Sequence, residues 1–130
     1  METVTPFLMF QGDAEAAAAF YAEVFHDAKI IETERWAAGE AGPEGAFKLA
    51  RLSLAGQTVT CFDSPVKHAF GFTPAFSLFA TCSTREEFDR LEAALGAGGS
   101  VLMPPDDYGF SRRYAWINDR FGVSWQLNLP

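Results

Sequence analysis

The feature that most limits what this chain can become is a doubled order of elements. Hydrophobic periodicity and turn signals give strand, helix, strand, strand, strand over about residues 1–65, and the same order again over about 66–130. In the first copy Pro6-Phe-Leu-Met-Phe10 is a predicted strand. Asp13 is placed to cap a helix over Ala14 to Phe25 with Ala17, Phe20, Tyr21 and Val24 as its core stripe. Strands follow near Lys29–Trp36, Phe47–Leu54 and Gln57–Asp63. In the second copy Ala75–Thr81 is the matching strand. Ser83 or Thr84, with Glu86 or Glu87 three residues on, starts a helix whose stripe is Phe88, Leu91 and Leu95, and Gly96 and Gly98 end it. Short strands near Ser100–Met103, Arg112–Ile117 and Val123–Leu129 complete the copy. The expected architecture is α+β: tandem βαβββ units forming a curved mixed sheet with a cleft, in one domain spanning 1–130. Two segments have loop compositions, Ala37–Gly45 and Pro104–Gly109, and are candidates for flaps beside a binding site.

Two hairpins carry the functional reading. Taking Asp119 to Gly122 as a short turn sets Trp116 opposite Trp125 and Ala115 opposite Gln126. Tyr114, Trp116, Val123, Trp125 and Leu127 then share an apolar face. The other face holds Arg113, Ala115, Ile117, Ser124, Gln126 and Asn128, more polar than helix packing requires. The Ala55-Gly56 turn pairs Ser53 with Thr58, Arg51 with Thr60 and Leu49 with Phe62, leaving Ala50, Leu52, Leu54, Val59 and Cys61 on the reverse. The candidate cleft residues are therefore Arg51, Ser53, Thr60, Phe62, Ser77, Phe79, Arg113, Ser124 and Gln126. They offer aromatic surface, guanidinium groups and neutral hydrogen-bond partners, which suits a small aromatic or anionic organic molecule.

Composition narrows the classes. A chain of 130 residues with 48% hydrophobic side chains, including 13 Phe, 3 Trp and 3 Tyr, buries a sizeable core without a stabilising metal or disulfide. A net charge of -7 argues against a nucleic-acid partner. No apolar run approaches the roughly 20 residues of a membrane span and the N-terminus has no signal-like region, so no membrane partner and a cytoplasmic location are expected. Cys61 and Cys82 lack a metal or redox spacing and read as buried thiols.

Phe20-Tyr21 on the first helix and Asn118-Asp-Arg-Phe-Gly-Val-Ser-Trp-Gln126 near the end resemble the vicinal oxygen chelate superfamily of glyoxalases, bleomycin-resistance proteins and extradiol dioxygenases. Thr5-Pro-Phe-Leu-Met-Phe-Gln-Gly-Asp-Ala-Glu-Ala16 and Trp116–Gln126 are similar to its PhnB-like, or 3-demethylubiquinone-9 3-methyltransferase-like, branch. The resemblance covers nearly the whole chain and implies a homodimer. It also places the superfamily's metal-ligand positions at Pro6, at Ala75 or Pro74, within Leu49–Ser53 and at Gln126. None of these is an imidazole or carboxylate, and Arg51 would repel a cation, so no metal is expected.

The branch name implies methyl transfer, yet Gly96-Ala-Gly-Gly99 follows a helix where a bound methyl donor would need a strand-to-helix turn, so no cofactor is expected. His26 and His68 read as surface or helix-end residues, and Glu15, Glu23, Glu86, Glu87, Asp89 and Glu92 as solvated faces. Asp106 and Asp107 are the one carboxylate pair near a possible site. No nucleophile motif is present. The expected function is metal-free binding or sequestering of a small molecule. The alternative is an enzyme, lyase-like or transferring a group to a quinone-like ring in the same cleft, for which the sequence offers no acid or base.

Overall fold

The structure, a computed structural model, describes all of residues 1–130. The chain forms two compact units, Met1–Ala69 and Phe70–Pro130. The first contains β1 (Phe7–Phe10), α1 (Ala14–Val24), β2 (Ala28–Arg35), β3 (Phe47–Leu54) and β4 (Gln57–Asp63). The second repeats the order with β5 (Leu78–Thr81), α2 (Arg85–Gly96), β6 (Ser100–Asp106), β7 (Arg113–Asn118) and β8 (Ser124–Leu129). Each unit is one four-stranded sheet, ordered β1-β4-β3-β2 and β5-β8-β7-β6. The first strand of each unit pairs parallel with the last and the remaining pairs are antiparallel.

In each unit the helix covers one sheet face, because apolar residues alternate with polar ones along the strands. Under α1 lie Leu8, Phe10, Ala50, Leu52, Val59 and Cys61, with Ala14, Ala17, Ala18, Tyr21 and Val24 of the helix buried against them. Under α2 lie Ala115, Ile117, Trp125, Leu127 and Leu129, closed by Phe88, Leu91 and Leu95. The opposite face of each sheet has no helix of its own unit, and the polar and aromatic side chains of interest collect there.

Three details differ from the expectations. Asp13 stands before α1 but makes no capping bond with its side chain. Instead Asp63, at the far end of β4, accepts from the Gly12 and Ala14 N–H groups at 3.0 and 2.9 Å, so the helix start is tied to the sheet. In the second unit Thr84 caps locally, its Oγ1 accepting from the Glu87 N–H at 3.1 Å, while Glu87 reaches back to the Ser83 N–H. Secondly, β6 continues through Pro104 and Pro105, where the composition predicts a loop. An edge strand tolerates prolines because one side of it has no ladder to feed, and the pairing of β6 slips between Val101 and Met103 and again before Asp106.

The third difference changes which residues belong to the site. The β7–β8 loop closes between Asp119 and Val123, whose N–H and C=O bond at 2.8 Å, leaving Arg120, Phe121 and Gly122 as a three-residue loop with Gly122 at φ +89°. Trp116 therefore faces Gln126, and Ala115 faces Leu127. A slip of one residue exchanges the faces of a strand. Arg113, Ala115 and Ile117 lie on the helix face, and Tyr114, Trp116 and Asn118 on the open one. Asp119 holds this loop: its buried carboxylate accepts from the Phe121 N–H at 2.8 Å, the Val123 N–H at 3.1 Å and the Trp125 indole N–H at 2.9 Å.

Candidate functional site

On the open face of the second sheet, β7, β8 and β5 set Trp116, Gln126 and Phe79 side by side in register, with Tyr114, Asn128 and Thr81 in the adjacent row. The polar groups of this face form a directed chain. The Tyr114 hydroxyl donates to Gln126 Oε1 at 2.5 Å, and Gln126 Nε2 donates to Ser77 Oγ at 2.6 Å. Beside it the Trp116 indole N–H donates to Ser124 Oγ at 2.8 Å. Asn118 Oδ1 and Asn128 Oδ1 are buried and have no donor.

Aromatic rings enclose one end of the chain of bonds. Tyr114 is 5% exposed and meets Phe110 edge-on at 5.0 Å and Tyr108 at 5.9 Å between ring centroids. Phe79 and Phe110 remain 56% and 62% exposed, which leaves large apolar surface beside the hydrogen-bonded Tyr114, Gln126 and Ser77. The segment expected to be a flap places these rings. Asp106 Oδ1 accepts from the Asp107 N–H, and Asp107 Oδ1 from the Gly109 N–H at 2.7 Å, so the carboxylate pair shapes the turn that carries Tyr108 and Phe110 onto Tyr114. Tyr108 donates back to the Pro104 carbonyl at 2.6 Å. Burial, and secondarily Tyr108, pushes the Tyr114 hydroxyl above the ordinary tyrosine range, so it remains a donor at neutral pH.

Of the expected site residues in this unit, Ser77, Phe79, Ser124 and Gln126 share the open face. Arg113 does not, which corrects the expectation: its guanidinium carbon lies 5.7 Å from the centre of the Phe88 ring of α2, with Nε 4.0 Å from Asp89. Tyr114 and Trp116 were placed on the wrong face by the one-residue slip, and Tyr108 and Phe110 were missed.

The first unit's open face has another character. The β3–β4 pairing is as expected, with Arg51 opposite Thr60, Ser53 opposite Thr58 and Leu49 opposite Phe62. Phe62 packs against Phe7 at 5.3 Å and Trp36 at 6.0 Å between ring centres. Arg51 is bound by Glu32 and by Glu34, the latter at 3.0 Å. Lys48 pairs with Glu40 at 3.1 Å and lies over the Trp36 ring at 4.9 Å. Thr60 is buried, and Ser53 borders a shallow depression shared with His26, Asp27 and Lys29.

The positions that would carry the superfamily's metal do not fit one. Pro6, Pro74 and Ala75 have no donor side chain, Arg51 is a cation already held by two carboxylates, and the Gln126 carbonyl oxygen is occupied by the Tyr114 hydroxyl. No three His, Cys, Asp or Glu side chains converge anywhere in the structure, whereas a divalent site needs at least about three such donors. A methyl-donor turn is equally unsupported. Gly98, at φ +74°, ends α2, and a Cβ on Gly99 would lie 2.1 Å from the Asn118 carbonyl oxygen, so these glycines serve helix termination and close packing.

The two βαβββ units have the fold of a glyoxalase/bleomycin-resistance domain. The family description 3-demethylubiquinone-9 3-methyltransferase matches residues 2–128, and the chain belongs to that family, in its PhnB-like branch. It is 44% identical to the PhnB protein of Bacillus cereus, a solved structure with a provisional 3-demethylubiquinone-9 3-methyltransferase name, over 99% of this chain and 100% of that one with a TM-score of 0.91. Protein YjdN of Escherichia coli is 24% identical over 139 residues, covering 97% of this chain and 94% of that protein. A glyoxylase/bleomycin resistance protein/dioxygenase domain from Frankia, 17% identical with a TM-score of 0.71 and covering 99% of this chain and 92% of that one, shares the fold.

Proposed function

We propose that this protein binds, and by binding sequesters, a small aromatic molecule on the open face of its second sheet without a metal ion. Gln126 carries the reading. The superfamily's last-strand ligand position is here a neutral amide whose two ends are both engaged, by Tyr114 and Ser77. The exposed rings of Phe79 and Phe110 flank it and favour a flat apolar partner. Binding without turnover follows from the side chains on that face, none of which is a carboxylate or imidazole placed within the chain of bonds to move a proton. The reading includes a homodimer, favoured by Ile30 and Ile31 exposed on strand β2, and a reducing cytoplasm, favoured by the free Cys61 and Cys82.

The test is a thermal-shift screen of aromatic compounds in excess chelator, followed by titration of Trp fluorescence. A ligand at 100 times its Kd raises stability by about 2.7 kcal/mol. Binding in chelator supports the reading. A panel that is silent in chelator and binds or reacts only after zinc, nickel or manganese is added contradicts it.

A further inference from the structure

The direction of each bond in the Tyr114–Gln126–Ser77 chain is fixed by chemistry. An amide oxygen only accepts, so Tyr114 donates to it; an amide nitrogen only donates, so Ser77 Oγ accepts. The proton of the Ser77 hydroxyl is thereby left over, at the end of a chain in which every bond polarises the next in the same sense. Asn118 and Asn128 add two buried acceptor oxygens without donors. The charges of the unit lie elsewhere or have the wrong sign for an anion. Arg113 is on the helix face over Phe88, Arg90 is on α2, Arg120 lies over the Phe121 ring in the β7–β8 loop, and Arg85 pairs with Asp89 at 2.9 Å, while Arg112, at the outer end of β7, is turned to the Pro130 carbonyl. Asp106, opposite Tyr114 in register, and Asp107 put two carboxylates at the end of β6 beside the rings.

From this we infer that the ligand of the second sheet is uncharged and carries a hydrogen-bond acceptor, a ring carbonyl or lactone oxygen, on the edge of a flat ring system, and that the anionic form of the same skeleton is rejected. The inference rests on the binding reading above and sharpens its ligand from aromatic to neutral and acceptor-bearing. A ring carbonyl satisfies the Ser77 O–H while the ring covers Phe79 and Trp116. A carboxylate would give up its hydration for one hydroxyl, with no cation bonded into the Tyr114–Gln126–Ser77 chain and two carboxylates nearby.

Fluorescence titrations of the full chain in chelator at neutral pH with coumarin, coumarin-3-carboxylate and naphthalene test it. Coumarin is expected to bind at least about tenfold more tightly than its carboxylate. Ser77→Ala is expected to weaken coumarin about tenfold and leave naphthalene unchanged, and Ser77→Thr, which keeps the hydroxyl, to restore coumarin binding. Carboxylate binding equal to or tighter than coumarin overturns the inference while leaving aromatic binding intact, as does an equal loss for coumarin and naphthalene in Ser77→Ala. If none of the three rings binds, the binding reading itself falls and this inference with it.

Discussion

The two units have one architecture and two surfaces. Their helix faces are nearly interchangeable, aliphatic and aromatic residues sealed under a helix, but equivalent positions on the open faces carry different chemistry. In the middle of the last strand Thr60 stands between Arg51 and Phe7 where its counterpart Gln126 stands between Trp116 and Phe79. The first unit binds its central cation with Glu32 and Glu34, so its polarity is consumed internally. The second builds a neutral chain of hydrogen bonds that ends in an unspent donor and is flanked by exposed rings. The fold supplies the platform twice, and the proposed binding rests on the side chains of one copy of it.

The sharpest way to break this contrast is through the two aspartates that organise the units. Asp119 satisfies three donors in a buried turn, so Asp119→Ala should cost about 3 kcal/mol or more in urea unfolding. Asp63 accepts two N–H groups at a more exposed helix start, and Asp63→Ala should cost about 1 kcal/mol. Equal losses would contradict the assignment of a structural keystone to the second unit's hairpin. A smaller change of opposite sign is expected in the first unit, where Ala55 holds φ +49° in the β3–β4 turn. Ala55→Asn, a residue that tolerates this conformation, should raise stability by about 0.5 kcal/mol, and a loss would refute the strain.

The last effect shows only at alkaline pH. Burial pushes the Cys82 thiol from 9.0 up to about 11, with Glu87 adding to the rise, and Tyr114 is raised in the same direction. The folded state keeps protons that the unfolded chain releases, so the contribution is complete below about pH 9 and is lost as pH climbs towards 11. Stability measured across that range should fall, and Cys82→Ser should remove part of the fall. A flat profile would contradict the burial of both groups.

Much of the fold was legible because it is local. The three-to-four spacing of Phe88, Leu91 and Leu95 marks a buried helix stripe, and the two-residue Ala55-Gly56 turn sets the β3–β4 register without outside information. The site was half legible for the same reason. Ser124 and Gln126 alternate correctly along β8, but the faces of β7 depend on whether two or three residues form the loop. That choice is made by Gly122 in the left-handed region and by the Asp119 carboxylate reaching Trp125, a contact no strand pattern displays. Arg113 was accordingly assigned to the open face and Trp116 and Tyr114 were not. The capping of α1 by Asp63, far away in sequence, was equally invisible, since the nearer Asp13 offered a plausible local cap.

The central claim is that Gln126 belongs to a hydrogen-bond chain and holds no cation. Dialysis of the purified protein against zinc, nickel and manganese, followed by elemental analysis, tests it directly. Substoichiometric metal is expected, unchanged in Gln126→Ala. One tightly held ion per chain that disappears in Gln126→Ala would contradict it.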